Sequence, residues 1–238
     1  MKSTRQLQTE VAWACRILAM ENQGDLSLGH VSARYDSRTV YMKRRGLGLG
    51  EVTANDVIPI DLQGRQLEPA ENGQGVHLEF PLHTEVYKLR PDVGAVIHAH
   101  PIHAIALGAT SEELKMINHD AVLFYDGLPR FNDSPDLITG TEQGQAVARA
   151  LGSARALLLC NHGTLVVGKD VRWAIVTALT LERAIQLQLI ATRLGDLTHV
   201  ISASEAEALF PKKYQDAFID DYWEYLIRRA RRVGEDVS

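Results

Sequence analysis

Ala95-Val96-Ile97-His98-Ala99-His100-Pro101 lies near the middle of the chain. Its small and β-branched residues suit a buried strand, and Pro101 closes that strand by withdrawing a backbone donor. Side chains alternate faces along a strand, so His98 and His100 point the same way at its carboxyl end. A second apolar run, Leu157-Leu158-Leu159-Cys160-Asn161-His162-Gly163, ends in a polar turn carrying another imidazole. Histidines delivered by strand ends can hold one divalent metal and leave a coordination position open, as catalytic sites require. A lone histidine is better read as a packed core residue. A His-x-His beside a second strand-end histidine favours a metal, so His98, His100 and His162 are the expected ligands.

Around this centre the chain alternates helical and strand patterns. Residues 4 to 22 place Leu7, Val11, Ala14, Cys15, Leu18 and Ala19 on one stripe of a helix. Strands are expected at 30–35, 39–42 and 57–61, the last an edge or bulged strand because of Pro59. Loops are expected at 43–50 and 71–75, and Pro81 opens a helix running to residue 90. Past the central strand come a short helix to Gly108, a strand at 120–125, a loop at 129–138 and a helix at 139–151. A hairpin-like return follows at 164–167. Asp170 caps a long, largely buried helix reaching Leu194, and two helices near 203–210 and 212–232 finish the chain. No repeat or linker breaks this order. Residues 1–238 read as a single α/β domain with a central mixed sheet between helical layers.

The chain has 238 residues, 45% hydrophobic and 23% charged, with a net charge of −5. That length buries a sizeable core, and the acidic balance argues against nucleic acid or a membrane surface as partner. No run approaches the roughly 20 apolar residues that span a bilayer. The start of the chain enters an amphipathic helix without a signal-peptide core, and Cys15 and Cys160 read as reduced core thiols. The expectation is a cytoplasmic protein.

Glu79, in His77-Leu78-Glu79-Phe80-Pro81, is a carboxylate among apolar side chains that can shuttle protons beside a metal. The bland alternative is a solvated helix-start glutamate. Taken together, Gly29-His30-Val31-Ser32-Ala33-Arg34, Glu79, Pro81-Leu82-His83-Thr84-Glu85-Val86-Tyr87, Arg90-Pro91-Asp92-Val93, the His98 strand and Asn161-His162-Gly163 resemble the class II aldolase/adducin family. The resemblance runs from the first helix through the long helix after residue 170. It implies a single-domain α/β/α sandwich with a largely antiparallel sheet. It also implies His98, His100 and His162 as ligands of one divalent ion per subunit and Glu79 as catalytic acid/base. Zinc or manganese is expected, with iron or cobalt also suited to the ligand set. Members commonly form four-fold tetramers with the site near a subunit interface. The C-terminal helices, about 203–232, are then expected to contact neighbouring subunits.

The departures from the family's sugar-phosphate aldolases are as informative. They carry Gly-Asn where this chain has Gly29-His30, and Thr-Gly where it has Lys43-Arg44-Arg45-Gly46. They carry paired serines where it has His77-Leu78. Those small groups make their phosphate pocket. Here Lys43, Arg44 and Arg45 are suited to substrate carboxylates, and His30 and His77 to a ring hydroxyl or second carboxylate. A solvated basic loop is the plainer alternative. The loop is similar to that of members that decarboxylate hydroxylated aromatic dicarboxylates such as 3,4-dihydroxyphthalate or a hydroxypyridine dicarboxylate. The expectation is a metal-dependent decarboxylase acting on a small anionic substrate. An aldolase for a small sugar phosphate or hydroxy-ketone is the nearest rival, and a non-catalytic adducin-like scaffold the remoter one. His83 and His103 are expected to pack beside the site or support the ligands.

Overall fold

A seven-stranded sheet is built outward from the His98 strand. The computed structural model describes residues 2–69, 75–134 and 136–238. Its strands are β1 (His30–Arg34), β2 (Thr39–Lys43), β3 (Val57–Asp61), β4 (Ala95–Ala99), β5 (Arg130–Phe131), β6 (Ala156–Leu159) and β7 (Gly163–Gly168). They lie in the order β3-β2-β1-β4-β7-β6-β5. Every pairing is antiparallel except β5 with β6. Pro59 sits on the edge strand β3, where a missing N–H costs no ladder bond on the outer side.

Strand alternation divides the interior between the two faces. Ala95, Ile97 and Ala99 of β4 join one apolar cluster with α1 (Thr4–Met20), α3 (Ile102–Gly108) and α5 (Val171–Leu194). The remaining helices of that layer are α6 (Ala203–Lys213) and α7 (Asp216–Arg232). Val96 joins the opposite cluster with α2 (Pro81–Leu89) and α4 (Thr141–Leu151). The architecture is therefore an α/β/α sandwich with a mostly antiparallel sheet. His98 shares the parity of Val96 and so belongs to the α2 side.

Local chemistry sets the boundaries. Asp170 caps α5 by accepting from the Trp173 N–H at 3.0 Å. Ser3 and Gln6 form a reciprocal cap on α1. Arg34 reaches from β1 to the carbonyls of Tyr87, Arg90 and Val93, tying the end of α2 to the sheet. The expected strand at 120–125 is instead a 3-10 turn, Ala121–Phe124, entered through the Asn118 side chain accepting from the Ala121 N–H. A short apolar run cannot by itself distinguish the two. The expected loop at 129–138 contains β5. Residues 70–74 lie outside the described residues, and with them most of the expected 71–75 loop. The glycine-rich run at 46–50 leads into a 3-10 turn, Leu49–Glu51, whose Leu49 packs beneath Gly24 and Gly29.

α5 has the length and apolar character of a membrane-crossing helix, yet half of its most apolar window is buried inside the protein. It is a core helix along its first half. Leu187, Leu189, Ile190 and Leu194 near its end are exposed, so the expectation of a largely buried helix holds only in part. Cys15 is buried, with its thiol pushed up to about 12 by desolvation, while Cys160 is half-buried; both are free.

Candidate metal centre

Three chain segments converge at the carboxyl end of β4. His98 is the penultimate residue of that strand and His100 follows it. The turn between β6 and β7 supplies His162. Asn161 takes a left-handed conformation, φ 60°, that a short polar side chain tolerates and that turns His162 back over the strand end. One ring nitrogen from each of His98, His100 and His162 can be chosen so that all lie within 4.8 Å of one another.

The chemistry of the donors fits a cation. His98 Nδ1 donates to the Thr164 carbonyl at 2.9 Å, so its Nε2 presents a lone pair to the site. The His100 Nε2 lies 3.1 Å from that atom. Two ligand nitrogens each about 2.05 Å from a tetrahedral zinc stand about 3.3 Å apart, so the spacing suits one shared ion. Burial, and the other imidazoles facing His98 and His100, hold both below their ordinary pKa and keep them in the neutral, ligating form. The buried His100 Nδ1 has no hydrogen-bond partner among the described residues and faces Asp25 Oδ2 at 3.7 Å.

Glu79 stands against this group rather than in solvent. Its Oε1 accepts from the Ile138 N–H at 3.0 Å and lies 3.7 Å from His162 Nε2. Its Oε2 lies 3.8 Å from His98 Nε2.

The substituted positions around the triad also meet. His30 is the cross-strand partner of His98, and its ring centroid lies 4.9 Å from that of His98 and 4.4 Å from that of His77. Lys43, fully buried, brings Nζ within 3.1 Å of His77 Nε2 and 3.4 Å of the Arg44 carbonyl. No carboxylate pairs with Lys43 among the described residues. Desolvation lowers its pKa. His77 falls to about 3, chiefly through burial and then through the Lys43 and Arg45 charges. Arg45 is exposed at the rim, with its N–H on the Gly75 carbonyl. Arg44 is engaged instead by Asp56, Nε to Oδ1 2.8 Å, in a contact that anchors the loop.

His83 approaches through His30, not through the triad, with its Nε2 2.6 Å from His30 Nδ1. His103 is tied to Glu182, which also accepts from the N–H groups of His103 and Ala104 at the start of α3. Of the two, only His83 touches a residue of the site. Asp25, Ser32 and Tyr87 were not anticipated. Periodicity puts Ser32 on the face of His30 and Tyr87 on the face of His83, but does not set those two faces against each other.

The chain matches the family described as Class II Aldolase and Adducin N-terminal domain over residues 9–189. It is 30% identical to the Meiotically up-regulated gene 14 protein of Schizosaccharomyces pombe, over 80% of this chain and 76% of that one. It is also 30% identical to a 3,4-dihydroxyphthalate decarboxylase of a Terrabacter species, over 84% of this chain and 87% of that one. Among solved structures, an L-fuculose 1-phosphate aldolase from Glaciozyma antarctica superposes with a TM-score of 0.86 at 22% identity. That superposition covers 98% of this chain and 93% of the aldolase, and shows the shared fold. By sequence and by architecture, this chain belongs to the class II aldolase and adducin family.

Proposed function

We propose that the protein is a metal-dependent carbon–carbon lyase that decarboxylates a hydroxylated aromatic dicarboxylate. The observation carrying this reading is that the three segments departing from the sugar-phosphate aldolases converge. His30, Lys43 and His77 form one buried cluster beside the His98–His100–His162 group. Glu51 and Asp56 act on the Lys43 ammonium only from beyond ion-pair distance, and a substrate carboxylate in direct contact would relieve the cost of its burial. The likeness to 3,4-dihydroxyphthalate decarboxylases supports the same substrate class.

His98, His100 and His162 would hold the ion, which when bound supplies Lewis acidity toward chelating substrate oxygens. Lys43 and His77 hold one carboxylate of the substrate, with Arg45 at the mouth. The carbon–carboxylate bond breaks, carbon dioxide leaves, and its bonding pair remains on the ring carbon. Glu79 delivers a proton to that carbon and recovers one from solvent, so that a carboxyl group is exchanged for hydrogen. The Ile138 N–H keeps the Glu79 carboxylate turned toward the site.

Purified protein supplied with Mn²⁺ or Zn²⁺ should release carbon dioxide from 3,4-dihydroxyphthalate, and Glu79→Gln should lose that activity about a hundredfold or more. Inactivity on hydroxyaromatic dicarboxylates together with cleavage of a sugar phosphate would establish the aldolase reading instead. A homo-oligomer, with four-fold symmetry expected from the family, is supported by the exposed Leu187, Ile190 and Leu194 on α5. Sedimentation as a single 26.4 kDa species would remove that part of the proposal.

A further inference from the structure

Behind the centre runs a hydrogen-bonded chain that the proposed reaction leaves unused. His30 and Ser32 share a face of β1, and His83 and Tyr87, one turn apart on α2, pack against them. The Tyr87 hydroxyl lies 2.9 Å from Ser32 Oγ, and Ser32 Oγ lies 2.7 Å from His83 Nδ1. His83 Nε2 in turn lies 2.6 Å from His30 Nδ1. None of the four side chains is more than 1% exposed. The remaining nitrogen, His30 Nε2, is buried with no hydrogen-bond partner among the described residues. A His30 ring nitrogen, a Glu79 oxygen and a His98 ring nitrogen fall within 4.8 Å of one another. Since His83 occupies Nδ1, His30 Nε2 is the atom free to face the centre.

The direction of the chain follows from its closed end. The Tyr87 phenol is buried, so its proton must find an acceptor inside the protein. Ser32 Oγ is the one acceptor it finds among the described residues. A buried donor without an acceptor is expensive, so Tyr87 donates to Ser32. Ser32 then has its proton left for His83 Nδ1. His83 must carry its own proton on Nε2, and it gives that hydrogen bond to His30 Nδ1. The single proton of neutral His30 is thereby placed on Nε2. Because His30 Nδ1 accepts from His83, it carries no proton of its own, and the ring is neutral.

We propose that Tyr87, Ser32 and His83 are positioning residues that fix His30 as a neutral donor, its Nε2–H aimed at a substrate oxygen beside the metal centre. The same nitrogen is then unavailable as a metal ligand, although its place near Glu79 and His98 would otherwise allow that role. A fixed, neutral donor in a dry site stabilises charge developing on an oxygen without reorganisation. It selects substrates that present a hydroxyl or phenolate oxygen and disfavours those that present an ammonium group. The catalytic part of this inference rests on the lyase reading; the position of the proton does not.

Neutron diffraction from perdeuterated, zinc-loaded crystals of the full chain reads that position without substrate. Deuterium on Nε2 of both His30 and His83, with a bare His30 Nδ1, is the expected result. In Tyr87→Phe the deuterium on His30 should divide between its two nitrogens, while zinc content stays unchanged. In His30→Ala kcat on the dicarboxylate should fall about a hundredfold, again with zinc content unchanged. A bare Nε2, zinc bonded to His30, or a Tyr87→Phe protein with the His30 proton undisturbed would each overturn the proposal. Failure of decarboxylation with Nε2 deuterated would sink the substrate reading and leave the directed chain standing.

Discussion

A buried ammonium such as that of Lys43 destabilises a folded chain unless something anionic meets it. Exchanging it for an apolar side chain of similar length should therefore separate stability from function. Lys43→Met is expected to melt at the same temperature as the parent or higher. Its KM for the dicarboxylate should rise tenfold or more, matching the roughly 1.5–3 kcal/mol of a hydrogen bond to a charged group. Melting curves and steady-state kinetics check both halves, and an unchanged KM would remove Lys43 from the substrate site. At this scale much was legible. The residues that differ from the sugar-phosphate pocket, His30, Lys43 and His77, are those that meet in space. Arg44 looked equivalent to its neighbours in sequence, and only its Asp56 contact sets it apart. Ser32 and Tyr87 lie inside the segments that carry the family resemblance, but those segments assign their hydroxyls no partner. Their meeting depends on how α2 packs across β1, which neither segment states alone.

The turn joining β6 to β7 governs how closely the triad can gather. A Cβ built on Gly163 would stand 2.5 Å from the Ala99 carbonyl and 2.7 Å from His100 Cδ2. One of those neighbours is backbone of the central strand and the other is a ligand ring, so neither can yield cheaply. Gly163→Ala is expected to lower the melting temperature and to weaken zinc binding by about tenfold or more, as displaced ligand geometry does. Zinc titration of the metal-stripped protein measures it, and parental affinity would contradict this account of the turn. The strand–turn–strand pattern was plain in the sequence because three consecutive leucines and Cys160 run into Asn161-His162-Gly163. The 121–124 segment was not, since its apolar run is shorter than the length at which helix and strand periodicities part.

Across the whole molecule, the depressed histidines link folding to pH. His77 and His83 both fall from 6.5 to about 3 in the folded chain. Unfolded copies take up protons near 6.5 and folded ones do not, so the unfolded state binds more protons between those values. The stability they lend is full above 6.5 and drains away as pH falls toward 3. Thermal melts between pH 6.5 and 4.5, above the range where aspartates contribute, should show a falling midpoint. The slope should lessen in the double variant H77N/H83Q, and a flat profile in the parent would contradict it. The sandwich itself followed from the family pattern. The exposed end of α5 did not, because a helix that is apolar on most of its circumference reads as buried whether its cover is its own chain or another copy. The lyase reading depends on three imidazoles sharing one cation. Anomalous diffraction at the zinc edge, from crystals of the zinc-loaded protein, tests that most directly. One peak within bonding distance of His98, His100 and His162, with His30 outside the coordination shell, is the predicted result. No peak among these residues, or one that bypasses His162, would contradict it.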